Sequence, residues 1–165
     1  MSLKYLPEHA HATLLALDLA NKEAQHLRYS QTTLFALPIN LAWVQNLSHQ
    51  PELAEKVEAF VSRFGRLQDH LGEKLLTRLA ALVGENSKTL LDTLAIAEKA
   101  GWLASADAFI AARKLRNALV HEYMHDAQNF LESLFAANQA CQMFFDIIEK
   151  AQDQISRLGL PQITK

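Results

Sequence analysis

The sequence predicts an all-α fold, an antiparallel bundle of four to five helices, on three observations. Apolar residues recur at spacings of three and four, no stretch alternates apolar with polar residues, and only five glycines and four prolines interrupt the chain. At 165 residues, one domain (residues 1–165) is long enough to bury a core without disulfide or metal staples. Hydrophobic residues make up 50% and charged residues 21%, the balance of a globular protein rather than a disordered one.

A first helix runs from about Pro7 to Tyr29, with Pro7 tolerated in the first turn because its missing amide would have no partner there. Leu14, Leu15, Leu17, Leu19 and Ala20 are its expected buried face. Pro38 stops any continuous helix, so residues 30–50 read as a loop followed by a short helix through Ile39, Leu41, Trp43, Val44 and Leu47. The segment PELAEKVEAFVSRFGRLQDHLGEKLLTRLAALVGE then repeats apolar residues at helical spacing from Leu53 through Val57, Phe60, Val61, Phe64, Leu67, Leu71, Leu75 and Leu79 to Leu82, the long spine of the fold. Gly65 and Gly72 within it each cost about 1 kcal/mol against alanine, tolerable where another helix or a ligand approaches closely.

A shorter helix from about Ser87 to Ala100 stops at Gly101. Ser105 is the expected N-cap of SADAFIAARKLRNALVHEY, and Asp126 of a last helix that ends before Gly159 and Pro161. One helix from Ser105 to Arg157 would span about 80 Å at 1.5 Å per residue, too long for a domain of this size. The polar cluster HEYMHDAQN, from His121 to Asn129, is therefore where the chain turns.

No apolar run approaches the roughly 18 residues of a membrane span. The start, MSLKYLPEHAHATLLALDLA, is broken by Pro7, Glu8 and two histidines and lacks the apolar core of a secretory signal, so a cytoplasmic location is expected. Cys141 is the lone cysteine; Ala140, Met143, Phe144 and Phe145 around it predict a buried, unreactive thiol. A net charge of −2 argues against tight, nonspecific binding to long nucleic acid, but leaves room for a local basic pocket.

The stretch LRNALVHEYMHDAQ, from Leu115 to Gln128, carries two competing spellings. HEYMH matches the HExxH of zinc proteases, in which two histidines four apart share one helical face and the glutamate activates a metal-bound water. That geometry needs a helix running straight through both histidines, whereas the expected helix end falls inside the motif. No histidine follows His125 as a third ligand, and a chain without strands offers no sheet edge for a peptide. No metal or other cofactor is expected. His9 and His11 point to different sides of a helix, and His26, His49 and His70 are scattered, so these five read as solvated or hydrogen-bonded surface histidines.

RNALVHEY offers metal-free cleavage of a phosphodiester instead. Histidine, with an unperturbed pKa of about 6.5, suits removal of the proton from a 2′-hydroxyl. Arginine stays charged and meets phosphate oxygens with two bonds. Arg116 and His121 are the minimum catalytic set; Asn117 is placed to bond the imidazole or the backbone where the helix ends, and Arg113, one turn earlier, to add a phosphate contact. Five residues turn an ideal helix by about 140°, so Arg116 and His121 diverge, whereas Asn117 and His121 share a face. Either the helix loosens at His121, or a two-fold dimer built on this helix brings two copies of the pair to one phosphate. The alternative for each residue is structural: a helix-end arginine and histidine also cap carbonyls or join carboxylates.

The phrase RKLRNALVHEY resembles the HEPN superfamily of small all-helical domains, and with a tyrosine two residues past the histidine it is most similar to the HepT branch. RFGRLQDHLGEKL, from Arg63 to Leu75, is similar to that branch's long helix, and the resemblance covers about Pro51 to Leu158. It implies a metal-independent endoribonuclease acting on RNA as a homodimer, the toxin component of a toxin–antitoxin pair, with Arg116 binding phosphate and His121 as general base or acid. It also implies a small nucleotidyltransferase antitoxin that adds adenylyl groups to the tyrosine of the motif, here Tyr123; the alternative is an aromatic packed at a helix end. Residues 30–50 look like an insertion that covers the cleft or serves a partner. Asp69 and Glu73 on the spine are placed to neutralise Arg113 or Arg116. Many superfamily members bind nucleotides or partners without cleavage, so a noncatalytic helical adaptor of a small nucleotidyltransferase stands as the alternative function.

Overall fold

The structure, a computed structural model, describes residues 4–123 and 125–160; Met124 and Pro161 lie outside them. Among the described residues the ordered elements are all helical, and six helices pack together. A 3-10 turn (Pro7–His9) leads into α1 (Ala10–Leu34). The short α2 (Leu41–Gln45) and a second 3-10 turn (Leu47–His49) follow. The spine is one rod made of α3 (Pro51–His70), a π-helical turn (Leu71–Leu75) and α4 (Leu76–Leu82). Then come α5 (Leu90–Ala100), α6 (Ala106–His121) and α7 (Ala127–Leu158). No helix among the described residues is long and apolar enough to cross a membrane.

Helix ends fall where short polar side chains satisfy the first amides. Ser105 Oγ accepts from Ala108 N at 3.1 Å, and Asp126 Oδ1 accepts from Asn129 N at 3.0 Å. At the start of α5 the cap is Thr89, whose hydroxyl accepts from Asp92 N at 3.1 Å, so the helix begins later than Ser87. Gly101 takes φ 83° at the end of α5, a left-handed turn that residues with a Cβ rarely adopt. The break between α6 and α7 rests on the Asp126 cap. Asp126→Ala is expected to lower the unfolding free energy by about 1 kcal/mol, read from urea denaturation; an unchanged midpoint would mean that the cap is idle.

The buried face of α1 matches the expectation at Leu17 and Ala20 and differs from it at Leu15 and Leu19. The helix continues past Tyr29 to Leu34, and its core residues include Ala16, Leu17, Ala20, Ala24 and Leu27, while Leu15 and Leu19 remain 45% exposed. The reason is close approach to the spine. Arg78 Nη1 reaches Ala12 O at 3.3 Å, and the buried His70 Nε2 lies 2.7 Å from Ala16 O. Because a carbonyl can only accept, Nε2 carries the proton, and His70 is an interior hydrogen-bonding group rather than a surface histidine. Alanines at this contact admit the backbones, and the larger leucines turn outward.

Residues 30–50 are likewise more integrated than an inserted loop. Ser30 to Leu34 are the end of α1, α2 packs on α7, and Val44 and Leu47 join the core. Phe64 on α3 packs its ring 5.0 Å from that of Phe144 on α7, which in turn lies 6.1 Å from Phe109 on α6. A Cβ on Gly72 would come within 3.3 Å of the Phe109 ring, so this glycine lets α6 press on the spine. The π-helical turn sits at that point, and Thr77 Oγ1 donates to Gly72 O at 3.0 Å. Cys141 is buried, and burial pushes its thiol up to about 12, so it is a neutral core group and no nucleophile.

Candidate functional site: the cleft between the spine and the motif helix

Between α3 and α6 lies an open cleft of about 530 Å³. Its apolar lining comes from Val57 and Val61 on the spine and from Leu119 and Val120 on α6. Its charged lining balances, with Arg66 and Arg116 against Glu58 and Asp69. The spine side follows from sequence spacing: Glu58, Ser62, Gly65 and Asp69 fall at i, i+4, i+7 and i+11, a stripe of small and polar residues on an otherwise leucine- and phenylalanine-rich rod.

Arg116 occupies the middle of this cleft. Its Nη1 lies 3.1 Å from Asp69 Oδ2 and 3.3 Å from Oδ1, with the two side chains 41% and 33% exposed. Of the two expected spine carboxylates, Asp69 is therefore the one that pairs; Glu73 is exposed, and neither it nor Arg113 forms an ion pair among the described residues. A half-exposed pair of this kind is worth about 1 kcal/mol or less, because solvent screens it. Asp69 engages Nη1, and the other N–H groups of the guanidinium take no part in this pair.

His121 is the last residue of α6, is exposed, and does not line the cleft. Arg113 and Asn117 are exposed on the same helix. On an ideal helix the order around the exposed arc is Arg116, Val120, Arg113, Asn117 and His121, about 140° from end to end. One chain therefore gathers Arg113, Asn117 and His121 on a common strip and turns Arg116 aside into the cleft. The helix stops at His121, and His125 lies in the following turn, where its amide donates to Glu122 O at 3.0 Å. The straight helix through both histidines that HExxH requires does not form.

Tyr123 closes one end of the cleft. Its ring meets that of Phe130 edge-on at 5.2 Å, and its hydroxyl is buried without a hydrogen-bond partner among the described residues. Burial first, and then the Glu58 carboxylate, push its phenol above the ordinary value of 10.0, so it stays protonated near neutrality. Behind Tyr123 a second cavity of about 380 Å³ is lined by Val44, Leu47, His125 and Phe130. The segment around α2 thus stands behind Tyr123 and does not cover Arg116. Sequence reasoning missed Glu58, Ser62 and Arg66 as cleft residues; the stripe spacing on the spine was the available signal.

Comparison of the chain with family models, with curated proteins and with solved structures finds no match.

Proposed function

We propose that this chain is a metal-independent endoribonuclease that acts as a homodimer, the toxin half of a pair whose antitoxin is a small nucleotidyltransferase. The observation that carries the reading is the placement of Arg116: a guanidinium half-exposed in a cleft, held by one solvent-screened carboxylate, on the helix whose exposed end presents an imidazole. Val120, 57% exposed between the two on the helical arc, is the apolar contact that pairing through α6 would cover. Pairing would set Arg116 of one subunit near His121 of the partner subunit.

In this arrangement the His121 imidazole takes the proton of an RNA 2′-hydroxyl, and the oxygen attacks phosphorus. The O2′–P bond forms, the P–O5′ bond breaks, and the leaving 5′-oxygen takes up a proton, so the products are a 2′,3′-cyclic phosphate and a 5′-hydroxyl. Arg116, seated on Asp69 through Nη1, turns its other N–H groups to the nonbridging oxygens and holds the charge that grows there. Asn117 and Arg113, on the same strip as His121, orient the imidazole and meet an adjacent phosphate. Tyr123 is the position for adenylylation, and because its hydroxyl is buried, the turn after His121 must open before a nucleotidyltransferase reaches it.

The purified protein is expected to cleave RNA undiminished in excess EDTA. Absence of cleavage, or its loss on chelation, overturns the reading. A second reading, a noncatalytic adaptor of the nucleotidyltransferase, is favoured by one observation: Asp69 neutralises Arg116 while His121 stands outside the cleft. Stable binding to such an enzyme with no cleavage of any RNA would select it.

A further inference from the structure

We infer that Gly65 and Asp69 together form a seat that fixes where the Arg116 guanidinium stands, which makes both of them positioning residues for its contact with phosphate. The inference rests on the ribonuclease reading for its consequence in catalysis, and on geometry alone for the seat itself. A Cβ placed on Gly65 would lie 2.7 Å from Arg116 Nε, 3.2 Å from Cγ and 3.3 Å from Cδ. The middle of the side chain, from Cγ to Nε, therefore crosses the spine at one of its two positions without a Cβ. Asp69, one helical turn on, receives Nη1 at 3.1 Å. Gly65 supplies the slot and Asp69 the clamp.

The two spine glycines do different work. At Gly72 the neighbours are Phe109 and Leu90, apolar side chains of the core, and the glycine serves packing. At Gly65 the neighbour is a charged group with 41% of its side chain exposed, which core packing does not require to lie so close to the spine. Placement matters for a phosphate binder: the stem of Arg116 lies against the helix at Gly65, which restricts its rotamers. A methyl at residue 65 would lift Nε by about an ångström to reach ordinary contact, and a misplacement of that size in a catalytic constellation costs on the order of 10²-fold in rate.

The test compares Gly65→Ala, Asp69→Ala and Arg116→Ala with the wild-type dimer. The readout independent of cleavage is the arginine Nε–H region of a nitrogen-15 spectrum, where the Arg116 signal is assigned by its loss in Arg116→Ala. In Gly65→Ala that signal is expected to shift and exchange faster with solvent while the melting temperature holds or rises, since alanine suits a helix better than glycine. RNA cleavage is expected to fall by about 10- to 100-fold. In Asp69→Ala, kcat is expected to fall while KM for RNA falls too, because a competing carboxylate has gone. A carboxylate that merely restrained Arg116 would instead give a higher kcat on removal.

An Arg116 signal unmoved in Gly65→Ala, or a raised kcat in Asp69→Ala, overturns the seat. A moved signal in a protein that cleaves no RNA leaves the seat standing and removes the ribonuclease reading instead. Asp69→Ala adds no bulk, so it decides the matter should Gly65→Ala fail to fold.

Discussion

Mixing Arg116→Ala subunits with His121→Ala subunits is expected to restore RNA cleavage that neither variant retains alone. Each single variant should lose about 10²- to 10⁴-fold, the usual worth of a positioned acid, base or cation. Recovery follows from the geometry of one chain, in which α6 turns Arg116 into the cleft and leaves His121 on the outer strip. If a site takes its arginine from one subunit and its histidine from the other, a mixed dimer has one site lacking both groups and one site lacking neither. Random pairing makes half of the dimers mixed, so the mixture should recover about a quarter of wild-type cleavage. A site built within a single chain would give no recovery, because each of its copies in a mixed dimer lacks one group. A mixture that forms dimers, shown by light scattering, and stays as inactive as the separate variants would sink the shared cleft.

The contrast between Arg116 and His121 shows what the sequence made legible. The break after His121 was readable because a helix through to Arg157 is too long for the domain, and because Asp126 is a good cap. So was the spine, whose apolar residues recur at helical spacing from Val57 to Leu82, though not its π-helical turn at Leu71–Leu75, and so was the room for a close neighbour at Gly65 and Gly72. The partner at each glycine was not readable. Nothing in one chain's spacing says that Arg116 lies over residue 65 while Phe109 lies over residue 72, since that depends on how α6 is set along the spine. The same limit explains α1. Counting leucines favoured Leu15 and Leu19 as buried, but contact with the spine selected Ala16 and Ala24 beside the expected Leu17 and Ala20, because approach distance rather than side-chain size ruled there. Asp69 was one of two carboxylates in reach on paper; only the settled register singles it out.

Phe144→Ala is expected to cost about 3–5 kcal/mol of unfolding free energy, a large share of the roughly 5–15 kcal/mol that holds a domain of this size. The ring is fully buried and lies between Phe64 at 5.0 Å and Phe109 at 6.1 Å, so it joins α7 to both walls of the cleft. Removing it leaves a cavity that cannot easily collapse. The spine is one long rod, and α6 is already held close to it at Gly65 and Gly72, so neither neighbour can move in without disturbing those contacts. Phe144→Leu keeps most of the volume and should cost about 1.5 kcal/mol or less. Urea denaturation followed by circular dichroism measures both. The cavity also lies behind Phe109, so the surviving folded fraction of Phe144→Ala should show α6 less firmly set and faster amide exchange around Arg116. A loss below about 1 kcal/mol would mean that the three rings do not form a shared layer, and the register of α6 on the spine, on which the Arg116 seat depends, would then need another source.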